Sequence, residues 1–498
     1  MPPRRTTFAS LLTTALLAAS ALSTAPAVGA EGDPVDPAQE AMNFAKQDER
    51  ASDYLSPKAL ADQLTQGAES FTGGLVEQAG DPGRLFLTDV CWSKALACGG
   101  DTRLQHWEER GYGIVEPVHF TARNGSTMAG HVWATKAGPA RRPLVVITNG
   151  SVQASEELYW WSAQTLAKAG YVVLTRDPQM QGRSDTLGEG EDTLEGFPSQ
   201  STGVTFYDHT QDSIDFALSR PGRPYCPRPS RSGTSHCGKQ RARVADGLAT
   251  RSNPFWRLVD RTRIGLAGHS YGAAGVSWVG QQDRRVDAVV AWDNLCDPTA
   301  PSRSIGPTDA LEPSGLGNGC LSGGLGKPGL RVPSLGLSAD YMLTPTPYTA
   351  RPDPGAKSGA SRAFSEAGVD TGQVVVRGGT HYEWSYLPLP VFGATLRGID
   401  LSAWYTTAWF DRYVKGDRSA QRRLLTDRWR RDGIEASVDP AGDGNMYSFY
   451  YRSRLDLGHE DGRRVRCEDL RRGCRALSPR DGRGPSYSYL AIATSKDD

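Results

Sequence analysis

The chain has 498 residues, with 56 Lys and Arg against 56 Asp and Glu, so its formal net charge is zero. That length leaves room for a large core and additions around it. The charge balance removes the electrostatic case for nucleic acid or an anionic membrane surface as main partner.

The first thirty residues read as an export signal. Arg4 and Arg5 form a basic start, Phe8 to Leu22 is modestly apolar, and Val28-Gly29-Ala30 is a small-residue cleavage site. The paired arginines fit twin-arginine export, and ordinary secretion fits equally. Nothing later approaches the roughly 20 apolar residues of a membrane span. The sequence therefore predicts a secreted, extracellular chain beginning near Glu31, with no stable membrane anchor.

The eight cysteines agree with an oxidising compartment. They fall into four neighbouring couples in loop-like sequence: Cys91-Cys98, Cys226-Cys237, Cys296-Cys320 and Cys467-Cys474. Each couple is expected to be a local disulfide. No Cys-x-x-Cys lies near a histidine cluster, so no metal is expected.

Residues 31–110 read as a polar N-terminal extension with helical spacing. From Gly111 the pattern changes. Asn124-Gly125 stands between two strand-like runs, a strong hairpin signal. Apolar strands and helices then alternate. Pro143 to Gly150 reads as a strand, Glu156 to Gly170 as an amphipathic helix, Tyr171 to Asp177 as a strand and Phe206 to Arg220 as a helix. The runs RTRIGLAGHS, RVDAVVAWD, RVPSLGLSAD and GQVVVRGGTH read as further strands, and Leu401 to Gly416 as the closing helix. This alternation predicts an α/β protein with a mostly parallel sheet covered on both faces. The catalytic domain is expected over residues 111–416, with disulfide-clipped insertions at 221–243 and 299–329. Residues 417–498 read as a small C-terminal extension of unassigned role, basic at first and then strand-like in NMYSFYYRSRLDL.

Within that domain, Gly268-His269-Ser270-Tyr271-Gly272 lies between an apolar strand and a small-residue helix. Gly-x-Ser-x-Gly in that context predicts a nucleophile elbow, the strand-to-helix turn of the α/β-hydrolase fold. Side chains two positions either way would collide in so tight a turn, hence the glycines. A serine at its free pKa is a poor nucleophile and needs a downstream acid and histidine. His381 follows the strand QVVVR and the turn GGT, where a base belongs; His459 lies in a polar tail. Two aspartates end strands in the interval. Asp340 is expected to be the acid and Asp293 is the alternative. The oxyanion donors are expected to be the backbone N–H groups of Tyr271 and Ser151. His269 is expected to pack away from the mouth. Trp292 and Trp384, beside these residues, are expected to line an apolar substrate pocket.

Over roughly Val115 to Gly416 the chain resembles secreted α/β-hydrolases of the dienelactone hydrolase and platelet-activating-factor acetylhydrolase-like group, which includes bacterial cutinases and polyester hydrolases. The segments VVITNG, DPQMQGRSD, GHSYG, AWD, VPSLGLSAD and GGTHYEW carry the resemblance. It implies Ser270 as nucleophile, His381 as base and Asp340 as acid, with Trp292-Asp293 as a non-catalytic aromatic wall. Met180 replaces a glycine common in these relatives, and the N-terminal region, the 226–237 insertion and the tail are additions to the compact cutinases. Ester hydrolysis is thus implied and a polyester substrate is not. The expected function is a secreted serine hydrolase acting on a small or polymeric carboxylic ester without a cofactor. The alternatives are a peptidase or amidase with the same triad, or a non-catalytic cell-wall or carbohydrate-binding protein on this fold.

Overall fold

The computed structural model describes residues 35–43, 57–84, 111–151, 155–189, 203–302, 318–342, 348, 350–385, 396–431, 444–459 and 462–478. The expected export signal and the Cys91-Cys98 couple lie outside these residues.

One ten-stranded sheet organises the chain. Its strands are β1 (Gly113–Thr121), β2 (Thr127–Thr135), β3 (Arg142–Thr148), β4 (Val172–Arg176), β5 (Val259–His269), β6 (Ala288–Trp292), β7 (Ser334–Ala339), β8 (Thr371–Val376), β9 (Arg454–Gly458) and β10 (Arg464–Cys467). They lie in the order β1-β2-β4-β3-β5-β6-β7-β8-β9-β10. The six strands from β4 to β8 in that order run parallel, and the two at each edge are antiparallel to their neighbours. Asn124-Gly125 forms the β1–β2 connection, with Gly125 at φ +82°, a backbone conformation that suits glycine.

Apart from the start of β5, the parallel strands are buried because helices cover both faces, so they read as continuous apolar runs rather than alternating ones. Successive residues still point to opposite sides. Val145, Ile147, Val173, Ala267, Val290, Leu335 and Leu337 face α2 (Trp160–Lys168) and the late helix Leu396–Tyr413, meeting Trp161, Trp404 and Phe410. Leu144, Val146, Leu174, Ile264, Leu266 and Val289 face α3 (Val204–Ala217) and the helix Tyr271–Gln282, meeting Phe206, Ile214, Val276 and Trp278. Each such buried aliphatic side chain contributes about 1.5–3 kcal/mol of transfer free energy.

Among the described residues the helices of eight or more residues are, in chain order, α1 (Pro57–Gly80), α2, α3, α4 (Cys237–Ala245), α5 (Tyr271–Gln282), α6 (Gly359–Glu366) and α7 (Leu396–Tyr413). Three disulfides close locally within the described residues: Cys226–Cys237, Cys296–Cys320 and Cys467–Cys474. No helix among those residues is long and apolar enough to cross a membrane.

The sheet does not stop at Gly416, where the catalytic domain was expected to end. β9 pairs with β8 through Thr371↔Asp456 and Gln373↔Arg454, and β10 pairs with β9. The tail thus completes the sheet's edge rather than forming a separate appendage. Asp456, fully buried, accepts hydrogen bonds from Arg464 and Arg466 on β10.

Candidate functional site

The parallel strands β3, β5, β6, β7 and β8 end at one edge of the sheet, and the residues singled out from sequence lie there. β5 delivers Ser270 directly into α5. Its φ of 56° and ψ of −121° fall outside the ordinary regions for an L-residue, a strain that surrounding structure must hold in place. The flanking glycines are required by contact. A Cβ on Gly272 would collide with the backbone oxygens of Thr148 and Asn149. A Cβ on Gly268 would stand 2.7 Å from the carbonyl carbon of Gly272. Farther along α5, Gly275 lets the helix lie against α3, where an added Cβ would be 3.0 Å from Phe206 O.

The end of β3 closes on the elbow. A Cβ on Gly150 would stand 3.0 Å from Ser270 Cβ, so Ser151, the next residue, and Tyr271, the first of α5, belong to segments that converge on Ser270. Tyr271 packs edge-on against Phe206, with ring centroids 5.4 Å apart.

His381 follows β8 and opens a short 3-10 turn, His381–Trp384, capped by Thr380. Its Nδ1 lies 2.7 Å from Asp293 Oδ2. This corrects the expected acid: the histidine's carboxylate partner is Asp293, and Asp340 is engaged elsewhere. Asp293 ends β6 with φ 42° and its N–H donates to Leu337 O at 2.7 Å. Together these direct its carboxylate across β7 toward the histidine. Asp340 accepts from Gly378 N–H at 2.8 Å, from Asn43 Nδ2 at 3.1 Å and from the Ser448 hydroxyl. It thereby ties the turn after β8 to the tail and to the N-terminal segment.

Electrostatics separate the two carboxylates as well. Both are buried, and burial alone raises a carboxyl pKa. For Asp293 this is outweighed by the hydrogen bond and charge of His381 and by Lys357, which hold its pKa below the usual value. For Asp340 burial prevails over Ser448, Gly378 and Lys357, and its pKa is raised. Lys357 is the buried cation common to both: its Nζ donates to Ala339 O and sits 4.6 Å from the ring centroid of Tyr451. Burial presses its own pKa down against the pull of Asp293 and Asp340.

His269 does not stand apart from the mouth as expected. It is buried, but its ring lies 4.6 Å from that of His381, and its Nε2 is 2.7 Å from the His381 carbonyl oxygen. A carbonyl only accepts, so Nε2 carries the proton and Nδ1 accepts from the Tyr159 hydroxyl at 2.7 Å. The Tyr159 oxygen in turn accepts from Gly150 N–H at 3.3 Å. A chain of three hydrogen bonds therefore links the loop after β3, the elbow and the histidine's backbone. Burial foremost, then the neighbouring His381, lowers the His269 pKa to about 3, so its ring is neutral. His381 is also held from the other side, its N–H donating to Met342 O at 2.7 Å.

The expected aromatic pocket is corrected too. Trp292 and Trp384 are both fully buried, at 0% exposure. Trp292 Nε1 donates to Thr406 at 3.1 Å and Trp384 Nε1 to Ser402 at 2.9 Å, both on α7. They are core residues under the site rather than walls of a substrate pocket. Sequence reading places Tyr159 among the aromatics near the mouth but not its hydrogen bonds, because it reads as one more apolar residue of an amphipathic run, and it misses Lys357. Lys357 lies in a Gly/Pro-rich loop that carries no local sign of burial.

Among the described residues no group of three or more His, Cys, Asp or Glu side chains could hold a metal ion. No protein-family model matches the chain, and no curated protein is significantly similar to it.

Proposed function

We propose that this protein is a secreted serine hydrolase of the α/β-hydrolase fold that cleaves carboxylic esters, with Ser270 as nucleophile, His381 as base and Asp293 as acid. The observation that carries the proposal is the 2.7 Å His381–Asp293 contact at the sheet edge where Ser270 is held at φ 56°. Three local disulfides support an oxidising, extracellular setting.

The chemistry rests on the tautomer. With Nδ1–H donated to Asp293, His381 keeps Nε2 unprotonated and able to accept the Ser270 hydroxyl proton as Oγ attacks the acyl carbon. The negative charge that develops on the carbonyl oxygen is received by the N–H groups of Tyr271 and Ser151. Collapse of the tetrahedral intermediate breaks the ester C–O bond. His381 returns its proton to the departing alcohol, leaving an acyl-serine. Water then repeats the sequence with His381 as base and releases the acid. Throughout, Asp293 stabilises the transient imidazolium, and Lys357 favours the ionised form of Asp293.

The test is intact-mass analysis after a fluorophosphonate probe, with p-nitrophenyl acetate and a matched anilide as substrates. A single adduct lost in Ser270→Ala, with ester turnover exceeding amide turnover, supports the proposal. Amide preference would redirect it to a peptidase. A folded protein with neither adduct nor turnover would overturn it.

A further inference from the structure

A second site lies at the opposite edge of the sheet. A cavity of about 730 Å³ is lined by Asp215 of α3, by the segment from Leu218 to Arg228, by Arg261 and by Arg285. Arg261 sits near the start of β5, whereas Ser270 lies just past its end; nine residues of extended strand put them roughly 30 Å apart. The cavity is therefore separate from the candidate catalytic residues, and ligand binding there is independent of the hydrolase proposal.

Five guanidinium groups line this cavity, Arg220, Arg223, Arg228, Arg261 and Arg285, against the single carboxylate of Asp215. That carboxylate is already shared, by Arg228 at 2.6 Å and by Arg285 at 2.6 Å, and Arg285 is paired further with Asp283, outside the lining, at 2.6 Å. Among the described residues no carboxylate pairs with Arg220, Arg223 or Arg261. Arg261 rests only on backbone oxygens, of Leu218 at 3.4 Å and Trp256 at 3.3 Å. Burial, then the nearby charges of Arg220 and Arg141, presses its pKa below the ordinary value.

The backbone that carries Arg220 and Arg223 is held in place, while their side chains are exposed to solvent. Arg220 and Arg223 exchange both backbone hydrogen bonds, at 3.0 and 2.8 Å. The next turn is anchored by Tyr225, whose hydroxyl donates to Thr121 O at 2.9 Å and whose ring packs edge-on against Phe120 and Phe216. Cys226–Cys237 staples the same segment. Like charges gathered around one cavity repel one another, and an anion seated among them removes that cost. Guanidinium forks match tetrahedral oxyanions, each taking two oxygens. The cavity is far larger than a single ion needs.

We propose that this cavity binds a ligand carrying two or more linked phosphates, either a short free polyphosphate or a stretch of phosphodiester polymer. Isothermal titration of the mature protein with tripolyphosphate, and separately with a glycerol-phosphate oligomer, tests it and distinguishes the two sources. Saturable one-to-one binding is expected with at least one probe, at least tenfold tighter than inorganic phosphate and weakening as salt is raised. Arg220→Gln/Arg223→Gln should weaken it about tenfold or more with an unchanged near-ultraviolet spectrum. The double lysine replacement, which keeps charge but loses the fork, should fall between. Absence of saturable binding to both probes, or equal binding by wild type and the glutamine variant, would overturn the proposal.

Discussion

Replacing Tyr159 by Phe removes one oxygen from the centre of the hydrogen-bonded chain that joins Gly150, His269 and His381. Two buried groups then lose their partner: the Gly150 N–H, bonded at 3.3 Å, and the His269 Nδ1, bonded at 2.7 Å. A buried polar group left unsatisfied costs about 1–3 kcal/mol, and the longer Gly150 bond belongs at the lower end. A total loss of about 2–3 kcal/mol in unfolding free energy is expected. The same groups position the loop bearing Ser151 and the backbone of His381, so turnover should suffer as well. A fall in kcat of roughly tenfold corresponds to about 1.4 kcal/mol of lost transition-state stabilisation, with KM little changed. Urea denaturation and p-nitrophenyl acetate kinetics measure the two effects. Tyr171→Phe is the control, since its hydroxyl bonds Asp411 at 2.8 Å on α7, away from the site. It should lower stability and leave kcat alone. A Tyr159→Phe protein with wild-type kcat, or a Tyr171→Phe protein with equally reduced kcat, would refute the positioning role.

Gly272→Ala should abolish turnover and lower the yield of folded protein, because its methyl group meets the backbone oxygens of Thr148 and Asn149, which no side-chain rotation can relieve; circular dichroism and turnover read both, and an active, stable variant would contradict the elbow geometry. His269 gives a pH signature: its folded pKa of about 3 lies below the ordinary 6.5, so the unfolded chain binds more protons between those values. Its contribution to stability is complete above pH 6.5 and is lost as pH falls toward 3, by at most about 1.4 kcal/mol per pH unit. The stability difference between wild type and His269→Gln should therefore be flat above pH 6.5 and shrink below it, and a pH-independent difference would remove the neutral, buried histidine.

The layered α/β architecture was legible because strands buried on both faces leave unbroken apolar runs, and β3 to β8 fall where those runs stand. The elbow was legible because a strained serine leaves a local mark, two glycines whose absent side chains make room for it. The acid carries no such mark. Asp293 and Asp340 both end apolar strands, and the choice between them depends on contacts made far away in sequence: Leu337 for Asp293, and Gly378, Ser448 and Asn43 for Asp340. Resemblance to the cutinase-like group pointed to Asp340, and tertiary structure reverses it. Trp292 could have been placed correctly from alternation. It shares parity with Val290, which faces the α2 and α7 side of the sheet. The tail reads as strand-like around Leu455 and Leu457, but its place in the sheet was not legible, because β9 pairs with β8 across a long stretch of chain.

The most direct measurement is the rate of fluorophosphonate labelling of Ser270, read by intact mass, in wild type, Asp293→Asn and Asp340→Asn. Removing the carboxylate that orients the base costs roughly three to four orders of magnitude in a serine triad. Asp293→Asn should lose labelling on that scale. Asp340→Asn, whose remaining amide oxygen can still accept from Gly378 N–H, should label within about tenfold of wild type. A slow Asp340→Asn beside a fast Asp293→Asn, both folded, would contradict the assignment of Asp293 as the acid of the site.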